Sequence, residues 1–189
     1  MKLNLGCGRD IRTGWVNVDS SPLFGADRIW DLNVTPWPFA DSVAEEVLLS
    51  HVLEHLGPTA ESYLTIIREL YRVCAHGAEV RILLPHPRHD DFLLDPTHVR
   101  AILPESFLLF SRSVCERLAA EGAGDTPLAL MLGVNFEVQT IQHTLDPAWR
   151  ERLTKGEITQ DGLAEAARQY NNVIKETAVV LKAIKDGKG

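Results

Sequence analysis

Little in this chain marks it for an oxidising or a membrane environment. Its three cysteines, Cys7, Cys74 and Cys115, are odd in number, far apart and without a CxxC pair. That leaves no basis for a disulfide framework or a thiolate zinc site, and it suits a reducing compartment. No apolar run approaches the roughly 20 residues of a membrane span. The amino terminus also lacks a basic stretch followed by an apolar one. Positive charge is scarce too: 19 Lys and Arg against 26 Asp and Glu leave a net charge of −7, with no local basic run. There is thus no electrostatic footprint for a phosphate backbone. The expectation is a soluble, cytoplasmic protein with neither a nucleic-acid nor a membrane partner. Without a secretion signal, the sequon Asn33-Val34-Thr35 reads as chance.

What is present suits one domain. The 189 residues are 45% apolar, enough for a single sizeable core spanning 1–189, and show no internal repeat or low-complexity tract. Short apolar runs at Leu3 to Leu5, Trp15 to Val18, Val47 to Leu49 and Val80 to Leu84 read as buried parallel strands. A shorter element at Asp27 to Trp30 adds another strand. Tyr63, Ile66, Ile67, Leu70, Tyr71 and Cys74 fall on one face at helical spacing, with Thr59 placed as N-cap and Gly77 placed to end the helix. Strand, helix and strand make a βαβ unit. Pro104 suits the first turn of a helix running to about Leu118, Asn135 to Leu145 alternates like a strand, and Asp146-Pro147 opens another helix. Val173 to Lys185 is open to two readings, a helix from its Ala and Lys content or a strand from its β-branched residues after Asn171-Asn172, and the strand is preferred. The fold class expected is α/β, with a mostly parallel sheet flanked by helices and ligands at the strand ends.

The most informative stretch is KLNLGCGRDIRTGWVNVD, Lys2 to Asp19. A strand, a tight glycine turn and a second strand ending on a carboxylate make a nucleoside-binding corner. Glycines let a ligand lie against bare backbone, and the carboxylate can accept both ribose hydroxyls. A dinucleotide fingerprint would need a third glycine where Ile11 stands, and a helix whose amino end holds a pyrophosphate. Arg9 to Gly14 is too short for that helix. The connection is still geometrically possible: seven steps from Gly8 to Trp15 reach roughly 23 Å, against roughly 17 Å for a five-residue strand. A phosphate-free ligand fits such a corner.

LNLGCG at Leu3 to Gly8, GWVNVD at Gly14 to Asp19, Asp31-Leu32, SHVLEHL at Ser50 to Leu56, DPTHVR at Asp95 to Arg100 and NNVIKE at Asn171 to Glu176 follow in order. In this the sequence resembles the class I S-adenosylmethionine-dependent methyltransferases, in particular the compact bacterial type 11-like group. The resemblance implies a Rossmann-like methyltransferase fold with a shortened first crossover, S-adenosylmethionine as cofactor and a small-molecule methyl acceptor. It implies that Gly6, Cys7, Gly8, Asp19, Ser20, Asp31 and Leu32 bind the donor: Gly6 and Gly8 approach it, Asp19 binds the ribose, and Asp31 with Leu32 lies near the adenine. Ser50 and His51 then face donor or substrate. Asn4 stands where an acidic residue is commoner. The alternative function is a methyltransferase-like domain that binds the donor or a related nucleoside without transferring methyl, as a scaffold or regulatory module.

An acceptor hydroxyl or amine must lose a proton, which makes histidine the natural base. His51 and His86 are the catalytic candidates, with His98 more naturally pairing Asp95 to order its loop. His76, His89 and His143 read as surface residues. His51, Glu54 and His55 also spell H-x-x-E-H, a zinc-peptidase signature. That motif needs an uninterrupted helix, and here a strand runs straight into it. Asp90 and Asp91 read as solvated, so no metal site is expected. Trp15, Trp30 and Trp37 read as core-edge residues, with Trp30, beside Asp31, the one placed to stack on adenine. The strand ending at Ser50 is not followed by the Asn/Asp-Pro-Pro-aromatic arrangement of known adenine or glutamine amino methylation.

Overall fold

In the computed structural model, which describes residues 1–185, a single seven-stranded sheet carries the chain. The strands are β1 (Lys2–Leu5), β2 (Val16–Asp19), β3 (Arg28–Ile29), β4 (Ala44–Ser50), β5 (Cys74–Pro85), β6 (Phe136–Leu145) and β7 (Ile174–Ala183). Their order is β3-β2-β1-β4-β5-β7-β6. β1 to β5 are mutually parallel, and β7 alone runs against its neighbours. Continuous apolar runs become buried strands because both faces are covered: Leu3, Leu5, Val18, Leu49, Val80 and Ile82 are all inaccessible to solvent. The β-branched run after Asn172 forms β7, which pairs with β5 from Pro85↔Glu176 to Glu79↔Lys182.

Helix α1 (Ala60–Val73) starts at Thr59 with a capping box shared with Ser62, and buries Tyr63, Ile66, Ile67, Leu70 and Val73. Each such side chain contributes about 1.5–3 kcal/mol by leaving water. Gly77 does not end this helix. The chain turns extended at Cys74, and Gly77, at φ 78°, lies in a bulge of β5 that advances its register from Ala44↔Cys74 to Glu46↔Glu79. After β5 come the short helix α2 (Asp90–Leu93), then α3 (Arg112–Ala120) and α4 (Leu128–Leu132). The expected helix from Pro104 is split. Residues Pro104–Phe110 form a 3-10 helix, and Ser111, extended at φ −95° and ψ 125°, caps α3 instead of continuing. Beyond β6, α5 (Pro147–Thr154) starts on the Asp146 cap, and α6 (Gln160–Gln169), which has no early sequence signal but its Thr159 cap, packs beside it. No described helix is long and apolar enough to cross a membrane.

β1 and β2 pair in parallel, Leu3↔Val16 to Leu5↔Val18, with no helix between them. Side-chain amides do the work of the missing crossover helix. Buried Asn4 donates to the Asp10 carbonyl at 2.6 Å and to Asn17 Oδ1 at 3.1 Å. Asn17 in turn accepts from the Arg12 amide at 2.9 Å and donates to the Arg12 carbonyl and to Asp27. Backbone groups of Asp10 and Arg12, which no helix pairs, are thereby satisfied.

Candidate functional site

β1 is flanked by β2 on one side and β4 on the other, so the chain leaves it in opposite directions and a crevice opens at the carboxyl ends. A cleft of about 270 Å³ occupies it, lined by Gly6, Asp19, Ser20, Trp30–Asn33, His51, Val52, His55 and Leu56. Gly6 turns the chain at φ 67°, and a Cβ there would lie 2.4 Å from Val52 Cγ2. Glycine is therefore required both by conformation and by space. Gly8 (φ 49°) donates its amide to Asp19 Oδ2 at 2.8 Å, and Ser21 donates its amide to Oδ1 at 2.8 Å. Each carboxylate oxygen retains a second acceptor position. The carboxylate is held by backbone before any ligand arrives.

The loop after β3 forms the adjoining wall. Asp31 Oδ1 accepts from the Asn33 amide at 2.9 Å and from its side chain at 3.1 Å, while Asn33 Oδ1 accepts from the Gly57 amide at 3.0 Å. The β3 loop is thereby tied to the segment after β4. The Trp30 indole donates to the Val34 carbonyl at 2.9 Å, and the residue lines the cleft.

His51 directly follows β4 in the left-handed region, φ 54°, an uncommon conformation for a residue with a Cβ. Its amide donates to the Leu83 carbonyl. Its Nε2 lies 2.8 Å from Glu176 on β7, and its Nδ1 lies 3.6 Å from Glu54. These carboxylates, Glu54 first, raise the imidazole pKa against the opposing effect of burial. A short 3-10 helix, Leu53–His55, follows. With His51 left-handed and Val52 at φ −131°, H-x-x-E-H never lies on one α-helix face, so the zinc-peptidase geometry is absent.

Of the anticipated donor-binding residues, Gly6, Asp19, Ser20, Asp31, Leu32 and His51 line the cleft. Cys7, Gly8 and Ser50 are not among the lining residues: Cys7 is buried and its amide bonds the Val18 carbonyl, and Gly8 acts through Asp19. His86 lies elsewhere. It is buried in the wall of a second cavity of about 740 Å³, with Leu103, His143, Leu163 and Ile174 among its neighbours. Desolvation first, and then the charge of His143, push its pKa down to about 4. His89 is not a surface residue: it is 5% exposed, caps α2 by accepting from the Asp91 amide at 3.0 Å, and approaches Asp146 at 3.4 Å. Trp37 is core and Trp15 edge, while Trp30 lines the cleft. Sequence reasoning did not place Asn33, Val52, His55 or Leu56 in the site, although each lies within a few residues of Asp31 or His51.

The DPTHVR segment docks on SHVLEHL. The amides of Val99 and Arg100 both donate to the Glu54 carbonyl, the Arg100 guanidinium donates to the carbonyls of Gly57 and Thr59, and Thr97 holds the His55 ring. His98 Nε2 lies 3.9 Å from Asp95 and 4.0 Å from Glu54.

The strand order, the lone antiparallel β7 and a crevice at the β1/β4 switch point define the Rossmann-like fold of class I methyltransferases. No protein-family model matches the sequence, and no curated protein matches it. Solved structures do match. An S-adenosylmethionine-dependent methyltransferase from Archaeoglobus fulgidus superposes with a TM-score of 0.62 at 16% identity, over 96% of this chain and 85% of that one. A second such methyltransferase, from Methanosarcina mazei, gives 0.55 at 13% identity, over 98% and 92%. The cyclase SpnF gives 0.54 at 18% identity, over 98% and 75%. At these identities the likeness is one of architecture.

Proposed function

We propose that the protein binds S-adenosylmethionine in the cleft between Gly6, Asp19, Asp31 and His51 and transfers its methyl group to a small-molecule acceptor. The observation that carries this reading is the Asp19 carboxylate, held by the Gly8 and Ser21 amides at the end of β2 with acceptor positions left for a ribose diol. The turn beside it lacks the helix that a pyrophosphate requires, and the glycine at position 6 keeps the wall at backbone thickness. Asp31 and the Trp30 ring suit the base, and Leu32 supplies an apolar floor.

The sulfonium of bound S-adenosylmethionine supplies an already activated methyl group, so the chain's own share is alignment, exclusion of water and removal of a proton. His51 is the residue for that last task. Its ring lines the cleft, and the Glu54 and Glu176 carboxylates beside it raise its basicity. His86 faces a different cavity and, with its pKa near 4, is a weak base. A second reading, a domain that binds the donor without transferring methyl, draws on the cyclase among the fold neighbours, which shares this architecture.

Calorimetry with S-adenosylmethionine, S-adenosylhomocysteine and NAD tests the cleft. Binding of the first two, with NAD weaker, supports the proposal, and preferential NAD binding overturns it. Accumulation of S-adenosylhomocysteine with an acceptor panel then separates transfer from binding alone.

A further inference from the structure

Glu54 is an anomaly. Its side chain is 2% exposed, yet neither carboxylate oxygen has a hydrogen-bond partner among the described residues. Burying a carboxylate without a partner is costly, and native structures avoid it unless something else holds the charge. Imidazoles approach but do not bond it: His51 Nδ1 at 3.6 Å and His98 Nε2 at 4.0 Å. Donor atoms of Glu54, His55 and His98 all lie within 4.8 Å of one another.

The histidines are oriented as metal ligands are. His98 Nδ1 lies 2.7 Å from the Phe92 carbonyl, which can only accept, so Nδ1 carries the proton and Nε2 presents its lone pair toward Glu54. His55 Nδ1 lies 3.3 Å from the Thr97 carbonyl and 3.0 Å from Thr97 Oγ1, while Oγ1 donates to Asp95 at 2.6 Å. His55 Nε2 is bare by the same argument. Ring N–H groups committed to carbonyls or to a carboxylate relay are the usual outer shell of an imidazole-bound metal.

We propose that Glu54, His55 and His98 form a binding site for a divalent transition ion of the zinc or ferrous class. The donor set of two imidazoles and one carboxylate suits these ions and disfavours magnesium and calcium, which prefer all-oxygen shells. An ion centred among donors 4.8 Å apart would lie about 2.8 Å from each, against about 2.1 Å for a zinc–imidazole bond, so each ligand closes by about 0.7 Å. The site joins the two sequence motifs that the fold docks together, SHVLEHL and DPTHVR. His55 also lines the cleft, so the site adjoins it. On the methyl-transfer reading, an ion there would take an oxygen of the acceptor, favouring hydroxyl- or carboxylate-bearing substrates.

The test is titration of chelator-treated full-length protein with zinc and with cobalt(II), without donor or acceptor. One equivalent binding, a visible cobalt spectrum of imidazole ligation and a raised unfolding temperature are expected. His55→Ala and His98→Ala should each weaken binding at least about tenfold, and His143→Ala, on the other cavity, should leave it unchanged. His55 is only partly buried, so His55→Ala decides the matter should His98→Ala fail to fold. Absence of stoichiometric binding to the wild type, or wild-type affinity in His55→Ala, overturns the proposal. Donor binding, measured separately on the same metal-free sample, is unaffected by either outcome, so failure here is distinguishable from failure of the methyltransferase reading.

Discussion

The Gly8 amide donates to Asp19 Oδ2 at 2.8 Å, which makes the turn after β1 and the end of β2 one preformed unit. Asp19→Ala removes this bond, the matching one from Ser21 and the acceptor for a ribose diol. The expected loss in S-adenosylmethionine binding is about 1–3 kcal/mol, roughly 5- to 150-fold, the range for leaving hydrogen-bonding groups unpaired. Unchanged affinity by calorimetry would contradict the placement of the ribose.

Gly6→Ala should both strain the turn and push on Val52. The new methyl would sit 2.4 Å from Val52 Cγ2, with φ at 67°. A destabilisation of about 1–3 kcal/mol is expected, as for overpacking elsewhere. Because half of the conflict is with one side chain, Val52→Ala should recover part of the loss. Chemical unfolding of both single variants and the double measures the coupling, and strictly additive effects would show that the contact is not the cause.

Asn4 works through its donors, to the Asp10 carbonyl and to Asn17 Oδ1. Asn4→Asp, which installs the acidic residue commoner at this position, sets an acceptor against two acceptors in a buried site. Loss of about 1–3 kcal/mol of stability is expected, with exchange protection falling first in residues 9–14. A stable variant with that loop intact would refute the bracing role.

His86 gives the fold a pH dependence. Its pKa is about 4 in the folded chain, against about 6.5 when exposed. Since folding depresses the value, the stabilisation from the neutral buried ring is fully present above about pH 6.5 and is lost as the pH falls toward 4. The amount is about 2–3 kcal/mol. Urea unfolding of the wild type should therefore weaken through this window, and His86→Gln should flatten that part of the curve. Parallel curves for the two proteins would mean that His86 is not the group responsible.

Much of the architecture was legible because both faces of the sheet are buried and the strands therefore announce themselves as apolar runs. Thr59 and Asp146 likewise marked helix starts through their own side chains. Gly77 misled because a left-handed glycine serves a strand bulge as well as a helix end, and the choice depended on register against β4. Ser111 broke a helix that apolar spacing would have continued, since its hydroxyl competes locally for the backbone. His89 looked like a surface residue because Asp146, one of its two partners, lies 57 residues away and meets it only in the folded chain.

Residues close in sequence determined the nucleoside corner on their own: Gly6, Gly8 and Asp19 needed only a turn and a strand pair to meet. Tertiary structure alone decided the rest. It set Glu176 on His51 across 125 residues, moved His86 to another cavity, and drew His98 beside Glu54 and His55. The reason is physical: a turn is specified by local backbone conformation, whereas the surroundings of a buried charge depend on which distant segments the sheet order brings together.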